Sequence, residues 1–191
     1  MKKKILLAAA VVICLTIAVS GTLAYFTFED TAHNVITSGG VSIEVVEKTK
    51  GEGETEVDFP KEGITGVMPG TEVSKIVSVR NTGSSEAWVR VKVDATITPA
   101  EGEGELPSDV MTYEIGEGWD EKDGYYYYNK PVRAGESTSI LFDTVKFDPE
   151  MGNVYQNCKA NIEISAQAVQ TANNGTTVMD AQGWPAEESG K

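Results

Sequence analysis

His33 is the only histidine in 191 residues, so imidazole chemistry has one place to happen. A lone histidine leaves no multi-histidine zinc site, and it argues against Ser-His and Cys-His nucleophilic sites. No His-Glu-x-x-His string occurs. Two cysteines are present, Cys14 in an apolar run near the start and Cys158 far from it; an odd cysteine in an exported chain can be a reactive or intermolecular thiol, but Cys158 reads as a partly buried thiol next to the final strand. The 29 acidic residues include no pair whose spacing singles it out for acid–base work. The runs GEGE (51–54) and EGEGE (101–105) carry the wrong charge to cradle phosphate. Asp148, Glu150 and Asn153 place hard oxygens around a turn but lack the spacing of an EF-hand loop, and the segment reads as a solvated turn. The expectation is no catalytic residue, no metal and no cofactor.

The chemistry that the spacing does specify is cleavage of this chain by another protein. Met1-Lys2-Lys3-Lys4 is a basic start, Ile5 to Val19 is almost unbroken apolar sequence, and Gly21-Thr22-Leu23-Ala24 closes it with small residues at the two positions a signal peptidase inspects. Cleavage between Ala24 and Tyr25 is expected, with signal peptidase as a partner during export and no membrane attachment afterwards. Ile13 precedes Cys14 where a lipobox needs a small residue. If the segment stayed uncut, its length through Phe26 would suffice for a membrane anchor, so a monomeric, membrane-anchored surface domain is the alternative.

Removing residues 1–24 leaves 167, the size of one domain that needs no disulfide. It also takes the basic residues from 16 to 13 against 29 acids, moving the formal charge from −13 to −16. That balance repels phosphate backbones and anionic lipid, and nucleic acid is not expected as a partner.

The elements that would position anything are nearly all strands. Val41, Ile43 and Val45 alternate with polar residues, as do Val89, Val91, Val93, Ala95 and Ile97, and later Ala160, Ile162, Ile164, Ala166 and Ala168. Val73 to Val79, Met111 to Ile115 and Ser139 to Phe147 read as further strands. Asp123-Gly124 predicts a hairpin leading into Tyr125-Tyr126-Tyr127-Tyr128, where alternation would place two rings in the core and two at the rim. Pro69-Gly70 and Asn81-Thr82-Gly83 mark turns. Eight to ten short strands without an amphipathic helix predict an all-β protein, an antiparallel β-sandwich of jelly-roll-like form. The expected organisation is a signal peptide (1–24), an N-terminal arm (25–39), the sandwich (40–170) and a polar tail (171–191) whose only anchor candidate is Trp184-Pro185.

In the arm, extended backbone puts Phe26, Phe28, Ala32 and Ile36 on one face. That is the pattern of a strand seeking an apolar groove, in its own sheet or in a neighbour's. The string GTLAYFTFEDTAHNVITSGGVSIEVVE (21–47) resembles the start of the TasA/camelysin family of Gram-positive exported proteins. VMPGTEVSKIVSVRNTGSSEAWVRVKV (67–93) and NIEISAQAVQTAN (161–173) are similar to later strands of that family. The resemblance implies a jelly-roll-like sandwich, export through a dedicated signal peptidase, and a homo-oligomeric fibre in the extracellular matrix or at the cell surface. It favours donation of the arm to a neighbour, with Phe26, Phe28, Ala32 and Ile36 as anchors. It also carries a metallopeptidase label, the alternative function, for which the residues above offer no motif.

Overall fold

The computed structural model describes residues 26–34, 40–61, 63–99 and 104–186. Among these the chain forms eleven strands: β1 (Phe26–Asn34), β2 (Ile43–Lys50), β3 (Glu56–Asp58), β4 (Ile64–Val67), β5 (Glu72–Asn81), β6 (Ala87–Thr98), β7 (Met111–Tyr113), β8 (Trp119–Lys122), β9 (Tyr125–Tyr128), β10 (Phe142–Phe147) and β11 (Lys159–Gln170). One sheet has the order β4-β1-β11-β6-β9-β8 and the other β3-β2-β5-β10-β7. Every pair is antiparallel except β1 with β11. The chain crosses between the sheets at most connections, which gives the sandwich its jelly-roll-like form.

The core lies between the sheets and is built from the faces that alternation marks. Ala160, Ile162, Ile164, Ala166 and Ala168 are all fully buried, as are Val89, Val91 and Ile97 on the neighbouring β6. Val77 and Val79 of β5 with Phe142, Val145 and Phe147 of β10 face them from the second sheet. β6 and β11 run together over their full length, Ala87 opposite Gln170 through to Thr98 opposite Lys159, forming the longest ladder of the molecule. The hairpin falls where expected: Asp123 and Gly124 both have positive φ (52° and 77°), the backbone that a two-residue hairpin turn requires.

Two expectations are corrected. The expected strand from Ser139 begins at Phe142, because residues 139–141 lead in as a bend whose Leu141 amide donates to the Val77 carbonyl. The tyrosine run alternates, but none of the rings is a free rim. Tyr126 and Tyr128 pack half-buried on the main core, while Tyr125 and Tyr127 are buried on the outer face of the sheet. Residues 171–186 fold back across that face and cover it. Trp88 Nε1 donates to the Asn174 carbonyl (3.1 Å), Val178 is buried, and Trp184 meets the Tyr127 ring edge-on at 5.9 Å. The Arg90 guanidinium lies 3.9 Å from the centre of the Tyr125 ring and 4.6 Å from that of Trp184, and it donates from Nε and Nη2 to Gln167 Oε1. A second, smaller cluster of Trp88, Tyr125, Tyr127, Val169, Val178 and Ala181 therefore sits outside the sandwich under a C-terminal strap. Cys158 is buried at the edge of the main core, beside β11.

Candidate strand-accepting site

β1 is an interior strand whose two neighbours come from much later in the chain. It pairs in parallel with β11 from Thr27–Lys159 to Asn34–Ala166, an unbroken register that includes Phe28–Ala160 and Ala32–Ile164. On its other side it pairs antiparallel with β4, Phe26 opposite Val67, Thr27 opposite Thr65 and Phe28 opposite Ile64. The register slips by one residue at Gly66, whose φ of +78° supplies the bulge. Without β1, β4 and β11 would face each other across an empty strand position, with the main-chain donors and acceptors of both exposed.

The body end of this strand's connection is clamped. After β1 the chain reaches Gly40, and the loop that joins β5 to β6 closes over the residues that follow. The Thr82 and Gly83 amides donate to the Ser42 carbonyl (2.8 and 3.0 Å), and those of Ser84 and Ser85 donate to the Gly40 carbonyl (2.9 and 3.2 Å). A side chain at position 83 would collide with the Gly40 carbonyl and the Ser42 amide, which is why glycine stands there. Asn81 holds the loop in shape: its Nδ2 donates to the carbonyls of Ser85 (2.8 Å) and Val132 (2.9 Å), and its Oδ1 accepts from the Gly83 amide (2.9 Å). The Asn-Thr-Gly turn is thus also the anchor for the tether of β1.

The floor of the site is a socket for one side chain. Phe28 is fully buried, and its ring stands edge-on to Phe59 (5.7 Å between centroids) and to Phe147 of β10 (6.3 Å). Beneath it lies a charge. Lys75 of β5 is fully buried, its Nζ donates to Glu47 Oε1 at 2.8 Å, and it faces the rings of Phe59 at 4.3 Å and Phe28 at 5.8 Å. Glu47 lies on β2 opposite Val77, so the two charges meet diagonally across the β2–β5 ladder. A signal for this pair is present in the sequence. Lys75 is in phase with Val73, Val77 and Val79, and Glu47 is in phase with Val41, Ile43 and Val45. Period-two alternation alone does not single the pair out, because valines in phase adjoin both residues.

Of the residues expected to matter, Ala24 and Tyr25 at the cleavage position and the anchor Ile36 lie outside the described residues. Phe26, Phe28 and Ala32 all fall in β1, and Phe28 is fully buried in the core. In the single chain, β1 occupies its own sheet. Among the described residues no group of three or more His, Cys, Asp and Glu side chains could hold a metal ion. The Asp148 turn is closed by its own Oδ1, which accepts from the Glu150 amide at 2.7 Å. A scan of the sequence against protein-family models finds no match, and a comparison with curated proteins finds none either. The geometry itself describes a β-sandwich with an interior, N-terminal strand held between two later ones.

Proposed function

We propose that this protein is an exported structural subunit that builds extracellular fibres or a surface matrix of a Gram-positive cell by lending β1 to the next copy. The observation that carries this reading is the position of β1. Among the described residues it precedes every other strand, it is interior to the sheet, and it joins the body through the short stretch that ends at the clamped Gly40–Ser42 segment. A strand so placed can leave its own gap and fill the equivalent gap of a neighbour with every ladder bond remade, so exchange has little net cost beyond the ordering of two subunits. Passing each strand to the following copy is a head-to-tail contact, which yields a filament wherever the rotation between copies does not close into a ring. Cleavage after Ala24 would leave only Tyr25 ahead of β1. The resemblance to the TasA/camelysin family points the same way.

The test is a cross-link placed across the β1–β11 register. Thr31→Cys with Glu163→Cys, in a Cys158→Ala background, puts thiols on paired residues. Mature protein oxidised before assembly should close the link within each chain and form no fibres, with assembly restored by reduction. Protein assembled first and then oxidised should run as a ladder of covalent multimers on a non-reducing gel. Fibres that yield only internally linked monomer would show that β1 stays at home.

A further inference from the structure

A hydrophobic core built for stability alone would put valine or isoleucine at position 75, where its neighbours in phase are Val73, Val77 and Val79. The chain puts a fully buried lysine there, paired to Glu47 and lying under the buried ring of Phe28 of β1. Desolvating an ion pair generally returns less than packing aliphatic carbon in the same volume. The pair does, however, suit a gap that must exist both filled and empty. With a phenyl ring seated, the ammonium is held by Glu47 and faces the electron-rich faces of two rings, the arrangement by which aromatic cages hold cations. With β1 withdrawn, water can reach the pair, and the open gap presents hydrated charge at its floor rather than a continuous apolar slot.

We propose that Lys75 is the specificity-determining residue of the strand-accepting gap: with Phe59 and Phe147 it forms a socket that selects an aromatic side chain at position 28 of the incoming β1. The occupant is the chain's own β1 in the isolated subunit and the β1 of a second copy in an assembly. The second-copy half rests on the strand-exchange reading above, whereas the half concerning the single chain does not. An aliphatic side chain of similar size fills the space between Phe59 and Phe147 but offers the ammonium no negative face.

The experiment uses the intact mature protein as a monomer and reads amide hydrogen exchange over residues 27–34, which reports the opening of β1 rather than of the whole fold. Phe28→Leu should speed exchange in the native background about 3- to 30-fold more than it does in a Lys75→Met, Glu47→Gln background, the range expected of a desolvated cation–ring contact. Removing both partners together avoids leaving either charge buried alone. A second measurement leaves the ion pair intact. Pentafluorophenylalanine at position 28 keeps the size of the ring while reversing the charge of its face, and it should speed exchange by a similar factor. Equal acceleration by Phe28→Leu in the two backgrounds, or a fluorinated ring that seats as firmly as phenyl, overturns the proposal. Both readouts are taken on monomer, so they can fail while assembled fibres still cross-link between subunits, and the cross-link can fail while they stand.

Discussion

Asn81 shows how much can depend on a single amide. Its three hydrogen bonds join the end of β5, the turn that follows and the carbonyl of Val132, which itself pairs with Ala87 at the start of β6. The side chain is fully buried, so water cannot replace what it supplies. Asn81→Ala should cost about 1 to 3 kcal/mol in a urea-unfolding measurement, because the turn loses its brace, the Ser85 carbonyl loses the Nδ2 donor, and the Val132 carbonyl is left with the Ala87 amide alone. The consequence reaches beyond stability. The same loop grips Gly40 and Ser42, so its loosening frees the tether of β1, and exchange protection of the Gly40–Ser42 clamp should fall before that of β11 does. A variant that unfolds at the native urea midpoint would mean that the clamp carries none of this load.

Among the elements, the C-terminal strap is the one whose role is separable. Residues 171–186 contribute nothing to the space between the sheets; they cover the outer face of β9, β6 and β11 with Val178, Ala181 and Trp184. Ending the chain at Gln170 should therefore leave a folded, β-rich protein by circular dichroism. Its stability should fall by about 3 to 6 kcal/mol, the burial of two large apolar side chains, and binding of a hydrophobic dye should rise as Trp88, Tyr125 and Tyr127 come into water. The Arg90 stack loses its Trp184 lid in that variant but keeps Tyr125 and Gln167. Thermal unfolding and dye fluorescence check this directly, and an unchanged melting temperature would mean that the strap adds no net stability. β1 differs in kind from the strap, since its removal opens the main core at Phe28 rather than a surface cluster.

For the whole molecule, the proposed function links export and assembly through one peptide bond. In the strand-exchange reading, β1 can enter a neighbour only if nothing bulky precedes it, and an uncut apolar run would keep each subunit at the membrane it was exported through. Ala24→Asp should block processing, so that the protein is recovered with membranes at the size of the precursor and no fibres are seen by electron microscopy. Secretion at mature size would overturn the cleavage position. In the same reading, the high acidic charge of a processed chain would add a condition on assembly, because subunits brought together must have their mutual repulsion screened by salt.

The sequence by itself determined what alternation and turn chemistry report, which are local properties. The inward faces of β6 and β11, the Asp123-Gly124 hairpin and the all-β class were legible because a side chain's face follows from its place in its own strand, and a turn's geometry from two residues. The strand character of β1 was legible for the same reason, including the placement of Phe28. Only the tertiary structure decided that β1 lies parallel to β11, that Gly66 bulges against it, that both faces of β9 are covered, and that Lys75 and Glu47 meet beneath Phe28. Each of these joins segments far apart in the chain. Periodicity says which way a residue points, and long-range packing alone says what stands opposite it.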